Sequence, residues 1–109
     1  MVNYSTSMEL VLTTESNMEK AESLAKALLE RRVVACVSIQ KVESHYCWEG
    51  GFEHVSEAQL LIKTTQNQLI NLRKAFKELH SYDVPEFIHW STSAGEDYKN
   101  WIDQVIPLS

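Results

Sequence analysis

The spacing of apolar and polar positions changes period several times along the chain, and each change marks an element. Residues 8–14 alternate Met8, Leu10 and Leu12 with Glu9, Val11 and Thr13, the two-residue period of a strand with one covered face. Ser16 followed by Glu19 fits a capping box, and Met18, Ala21, Leu24, Ala25, Leu28 and Leu29 then form an apolar stripe at helical spacing. Arg31 and Arg32 suit the carbonyl end of that helix. Residues 33–39 are a β-branched, apolar run that continues in more polar form to Trp48, turns at Gly50-Gly51 and returns over residues 52–65. On the return strand Ser56, Ala58, Leu60 and Ile62 share one face, while Val55, Glu57, Gln59, Leu61 and Lys63 share the other. Thr65 with Gln68 offers a second capping box, and Leu69, Leu72, Phe76 and Leu79 predict a second helix ending near His80. Beyond Pro85, residues 86–91 predict a fourth strand. Residues 95–106 predict a last helix that carries Tyr98, Trp101, Ile102 and Val105 inward.

The order is βαββαβ with a C-terminal helix, which predicts an α+β, ferredoxin-like domain over residues 1–109. Both main helices should lie on one face of a four-stranded antiparallel sheet. The long β2–β3 hairpin sets a further constraint. Sixteen residues from Val33 to Trp48 reach roughly 53 Å when extended, against about 34 Å for a compact domain of this length. The hairpin must therefore bend or overhang. Its tip, Tyr46-Cys47-Trp48-Glu49-Gly50 with Phe52, is rich in aromatics that an overhanging ribbon cannot bury alone. Other copies of the chain are the expected cover.

Composition narrows the partners. With 109 residues, 44% hydrophobic and 23% charged, the chain matches an ordinary globular domain and carries no apolar run long enough for a membrane span. A formal charge of −5 with dispersed basic residues lacks the footprint of a nucleic-acid binder. An RNA-binding module with the same element order would need stacking aromatics on its first and third strands, and residues 8–14 and 55–65 have none. The first seven residues show no basic or apolar signal region, so a cytoplasmic protein is expected. Cys36 and Cys47 are expected as thiols. Neither comes with an oxyanion-donor turn or an orienting third group, so a Cys-His nucleophile is not supported and no enzyme is expected.

Several motifs in order resemble one family. Val34-Ala35-Cys36-Val37, the Tyr46-Cys47-Trp48-Glu49-Gly50 tip, Glu57 with Gln59, Lys63-Thr64, His80-Ser81-Tyr82 before Pro85-Glu86, and Tyr98 with Trp101 together resemble the CutA divalent-cation tolerance family across residues 9–105. The resemblance implies a non-enzymatic homotrimer of ferredoxin-like subunits, built like the PII signalling proteins, whose hairpin arms reach neighbouring subunits. It also implies a role in tolerance of divalent metals, chiefly copper, in a bacterial type of member, with a metal or small-molecule ligand as partner. Trp48, Glu57, Lys63, Tyr82, Glu86, Tyr98 and Trp101 are the implied residues of an inter-subunit cleft. Members proposed to bind copper use a cysteine at the end of the first strand and a histidine pair after the second helix. The matching positions here are Thr13 and Leu79-His80, so His80 alone keeps a ligand side chain.

Each candidate has a plain structural alternative. His80 fits a partly exposed histidine whose charged form the end of the second helix favours, as well as a metal ligand. Glu57, Gln59 and Lys63 fit either a polar network that fixes subunit register, with Glu57 and Lys63 paired, or an anion site built on Lys63. Tyr98 and Trp101 fit the core, whereas Trp48 at the tip fits an interface anchor. A two-residue turn at Gly50-Gly51 would set Cys47 opposite His54 with His45 on the same face, a soft-metal face for copper or zinc. Its alternative is three unrelated polar residues on a solvent-facing ribbon.

Overall fold

The computed structural model describes residues 6–106. β1 (Ser7–Glu15), α1 (Met18–Glu30), β2 (Cys36–Trp48), β3 (Gly51–Thr64), α2 (Leu69–Leu79), β4 (Ile88–Ser93) and α3 (Glu96–Val105) follow in the expected order, with a 3-10 turn at Gln66–Gln68 leading into α2. The strands form one antiparallel sheet in the order β2-β3-β1-β4. Ala21, Leu24, Ala25 and Leu28 of α1 and Leu72, Ala75 and Phe76 of α2 bury against Val11, Ala58, Leu60 and Ile62, so both helices cover one sheet face. Alternation puts Met8 on the opposite face from Val11. There it packs with Ala35 and with Ile102 and Ile106 from the α3 end of the chain.

β1 departs from the single-covered-face reading. Its odd positions, Glu9, Val11, Thr13 and Glu15, are all buried beneath the helices, and on its even face Leu10 and Leu12 are half-buried. The even face of this central strand is covered only in part, by the α3 end of the chain at Met8, so alternation alone could not say which face was deeper.

Local chemistry shifts several element ends. α1 is capped by Asn17 rather than Ser16, its Oδ1 accepting from the Lys20 N–H at 2.8 Å. Thr65 makes no side-chain cap bond, and the 3-10 turn supplies the entry to α2 instead. At the other end of α1, the Arg32 and Val33 N–H groups donate to the Leu29 and Leu28 carbonyls. That Schellman closure puts Arg32 in the left-handed region, at φ 60°. β4 starts at Ile88 because Phe87 turns into the core, edge-on to Phe76 with ring centroids 5.0 Å apart.

The hairpin overhangs. The molecule measures 52 × 26 × 21 Å. Its radius of gyration is 15.1 Å, against about 13 Å for a compact chain of this length. Every residue from 45 to 54 is exposed. The tip turns one residue earlier than Gly50-Gly51: Glu49 and Gly50 are the central pair, at φ 48° and 80°, and Trp48 pairs with Gly51. Both angles are positive, as a type I′ turn requires, and that turn matches the twist of the flanking strands.

Candidate functional site

At the end of β1, the sheet and the segment after α2 enclose a polar network. Thr13 Oγ1 lies 3.2 Å from His80 Nε2, and His80 Nδ1 accepts the Tyr82 N–H at 3.1 Å. With Nδ1 accepting, the ring proton sits on Nε2 and Thr13 is its acceptor. Burial lowers the His80 pKa below 6.5, against a smaller opposing pull from Glu15, so the ring is neutral at pH 7. The 3.4 Å approach of His80 Nδ1 to Glu15 Oε2 is therefore not a salt bridge at that pH. Glu15 takes its donors elsewhere: the Ser81 N–H at 3.0 Å, the Ser81 hydroxyl and the Ser16 N–H at 3.4 Å. The expectation of a partly exposed, charged His80 is corrected, because the chain after α2 folds back over the ring and removes water from it.

Sequence reasoning missed Glu15. An acidic residue closing a strand just before a helix reads as a solvated end, and only the return of Ser81 across 66 residues gives it buried donors. Glu9 repeats the pattern at the other end of β1, buried and accepting from Ser91 Oγ at 2.7 Å.

The family's copper positions fit a soft ion poorly in this chain. Thr13 and His80 do meet, but both ring nitrogens of His80 are engaged by protein groups, and Leu79 packs against the hydrophobic core. A hydroxyl and a leucine supply neither thiolate nor imidazole. Among the described residues, no cluster of three or more His, Cys, Asp or Glu side chains is arranged to hold a metal.

The seven implied cleft residues fall into groups on the sheet face away from α1 and α2. Glu57 accepts the Tyr82 hydroxyl at 2.6 Å, and burial together with that carboxylate raises the Tyr82 pKa. Glu86 is raised too, by desolvation first and then by the nearby Glu57 charge. Lys63 belongs to a second group: its Nζ donates to Ser38 Oγ at 2.8 Å and lies 3.8 Å from Cys36 Sγ. Cys36 also neighbours Tyr98, whose pKa is raised by burial and then by the thiol. Tyr98 stacks obliquely on Trp101, 5.7 Å between centroids.

The expected Glu57–Lys63 pair does not form within the chain. Six residues along one strand separate them by about 20 Å. The core reading of Tyr98 and Trp101 is likewise corrected: each is 41% exposed, because α3 turns Lys99, Ile102 and Ile106 inward instead. Trp48 stands apart at the ribbon tip, 59% exposed. Cys36 and Cys47 occupy opposite ends of β2, about 36 Å apart along the strand, so no bridge can join them within the chain.

On the other face of the ribbon the one-residue change of turn matters. Cys47 pairs with Phe52, and His54 pairs with His45 rather than with Cys47. The expected register is corrected, and the two imidazoles stack with centroids 4.2 Å apart and planes within 2°. All three residues still share one face, since directly opposed residues point the same way.

Comparison with known proteins agrees with the fold and the motif order. The model of the CutA1 divalent ion tolerance protein family matches residues 9–105. The divalent-cation tolerance protein CutA of Pyrococcus horikoshii is 36% identical over 96 residues, covering 87% of this chain and 94% of its own. Among solved structures, CutA1 from Oryza sativa superposes with a TM-score of 0.90 at 33% identity, over 96% of this chain and 99% of that one. A structure described as the periplasmic divalent cation tolerance protein CutA from Archaeoglobus fulgidus gives 0.88 at 31% identity, over 92% and 99%. A family match across nearly the whole chain, with close superposition on solved members, means that the chain belongs to the CutA1 divalent ion tolerance protein family.

Proposed function

We propose that this chain is a single CutA-like unit of a PII-like homotrimer that serves tolerance of divalent metal ions, chiefly copper, without catalysing a reaction. The observation that carries the assembly is the apolar sheet face that α3 leaves open beyond Met8. Leu61, Leu12 and Ile88 stand side by side across β3, β1 and β4, with Trp90 on the same face, and Ile88 and Trp90 are 49% and 42% exposed. The ribbon extends beyond this face with Tyr46, Trp48 and Phe52 unburied. Packing against further copies would remove this surface from water and stabilise the trimer at roughly 25 cal/mol per Å² buried, before the costs of association.

The two cleft groups support the same reading. A cleft that used Glu57, Tyr82 and Glu86 together with Lys63, Tyr98 and Trp101 would take them from two copies, since one chain holds them about 20 Å apart. Light scattering coupled to size exclusion should give about three times 12.5 kDa, and a monomer at micromolar concentration overturns the proposal. Copper-challenged growth of cells with and without the gene tests the tolerance role. The cytoplasmic expectation meets a relative described as periplasmic, and fractionation of a tagged chain decides between the two compartments.

A trimeric scaffold without a ligand is the second reading. It is favoured by one observation, the filled hydrogen-bond set of His80 beside Thr13 and Leu79. A thermal-shift screen with metal ions and nucleotides separates the two readings, because a ligand bound by the folded state raises the melting temperature.

A further inference from the structure

At the opposite end of β1 from His80, a cavity of about 210 Å³ opens to solvent between the sheet, the turn after β3 and α3. Glu9 and Ser91 from adjacent strands, Thr65 and Asn67 from the turn, and Lys99 and Asp103 from α3 line it. Two of these side chains are charged and deeply buried, Glu9 at 3% exposed and Lys99 at 9%. Neither uses its full bonding capacity on the described residues. Glu9 Oε2 accepts the Ser91 hydroxyl at 2.7 Å, while Oε1 has only His89 Nδ1, at 3.4 Å. The equally buried Glu15 takes three donors. Since a carboxylate offers about four lone-pair sites, Glu9 keeps acceptor sites open. Lys99 Nζ contacts both carboxylate oxygens of Asp103, at 2.8 and 2.9 Å, which engages at most two of its three N–H donors. Buried charges short of partners are costly, so a ligand that completes both sets is stabilised there.

We propose that this cavity binds a small molecule carrying a primary ammonium group and, beside it, an oxygen acceptor. Charge balance selects the ammonium. Lys99 neutralises Asp103, so Glu9 leaves the wall with one uncompensated negative charge, which an N–H-bearing cation both neutralises and hydrogen-bonds. The open Lys99 donor selects the oxygen. A hydroxyl or carbonyl fits it better than a carboxylate, which would bring a further anion beside Glu9 and Asp103. Two carboxylates, one of them already paired, supply too few oxygens for a calcium or magnesium cage. The volume lies below the roughly 300–1,000 Å³ of pockets for drug-sized ligands, so the molecule is small. The site uses no side chain of the His80 network or of the two cleft groups, and it goes beyond the tolerance reading.

The test is NMR titration of the whole protein with ethanolamine, with ethylamine and tetramethylammonium as controls. Ethanolamine should shift the backbone amides of Asn67, Ser91 and Lys99 and bind more tightly than ethylamine, which lacks the oxygen. Glu9→Gln should weaken ethanolamine binding by about 10- to 100-fold, the loss of a hydrogen bond to a charged group. Lys99→Met should erase the preference for ethanolamine over ethylamine, which loss of a purely structural lysine would leave in place. Where Glu9→Gln does not fold, the shift map of the parent and its ethanolamine preference decide. Unmoved amides at tens of millimolar ethanolamine, equal binding of tetramethylammonium, or equal affinity in the parent and Glu9→Gln overturns the site and leaves the cavity to water. Any of these results leaves the assembly and tolerance proposals to their own tests.

Discussion

Two glutamate–histidine pairs in this molecule have the same residue types and opposite surroundings. In the body, Glu15 and His80 approach to 3.4 Å with side chains 1% and 0% exposed. On the ribbon, Glu43 and His54 approach to 2.5 Å with side chains 56% and 54% exposed. The shorter contact is the weaker determinant of the fold, because water and salt screen it and each partner can be solvated if the other is lost. The longer approach holds no bond of its own, but removing either side chain strands the buried groups that bond it, the Ser81 and Ser16 N–H groups at Glu15 and the Thr13 hydroxyl and Tyr82 N–H at His80. Burial also separates their roles: the body histidine is held neutral and committed to two protein bonds, while the ribbon histidine makes its bond to Glu43 at an exposed site.

The sharpest way to break the comparison is Glu15→Ala. It strands the Ser81 and Ser16 N–H groups in a buried site, and unfolding in urea should show a loss of about 3 kcal/mol or more. A loss under about 1 kcal/mol would mean that water reaches the network, and the contrast between the two pairs would collapse.

Tyr82→Phe comes next. It removes the hydroxyl that Glu57 accepts, a bond to a charged group, and should cost about 1.5–3 kcal/mol in the same assay.

Acid sharpens the contrast through His80. Its folded pKa lies below the 6.5 of the free side chain, so the unfolded chain takes up the proton first as pH falls. Stability is full above about pH 6.5 and declines as pH drops from there toward the folded value. Urea midpoints measured across that range in the parent and in His80→Gln check this. A slope of equal size in both proteins would assign the acid sensitivity to other groups.

The smallest effects belong to the ribbon. His54→Asn should move the melting temperature by no more than about 3 °C, since its site is exposed. Glu49→Asn should stabilise slightly, by about 0.5 kcal/mol, because asparagine tolerates the left-handed angle at the first turn position better than glutamate does. A destabilising result there would show that the Glu49 side chain makes a contact worth more than its backbone strain.

Much of the fold was legible in order and period. Alternation along residues 55–63 separated the covered face, Ala58, Leu60 and Ile62, from the open one, and the apolar stripe of α1 packs as read except at Leu29, which stays exposed. Strand length left two outcomes, a bent or an overhanging hairpin, and the structure takes the overhang. The candidate site was only partly legible. The resemblance placed Thr13 beside His80 in function, and the two do touch, but nothing in the local sequence showed Glu15 as their buried neighbour or that His80 would be neutral. Tyr98 and Trp101 misled because a short amphipathic helix has two candidate inward faces, and packing against Met8 and Ala35 selected the one through Ile102.

The sequence by itself determined the element order, the element types, the long hairpin and the family, since these depend on period, length and short motifs, all local quantities. Tertiary structure decided which face of β1 lay deepest, which state His80 holds and which ribbon residues stand opposite each other. Burial is a property of what returns from far along the chain, as Ser81 does to Glu15. Register at the tip was decided by which two residues took positive φ. Gly50-Gly51 read as the obvious turn, but only the paired strands show that Glu49-Gly50 makes it, with Gly51 already opposite Trp48 in the ladder.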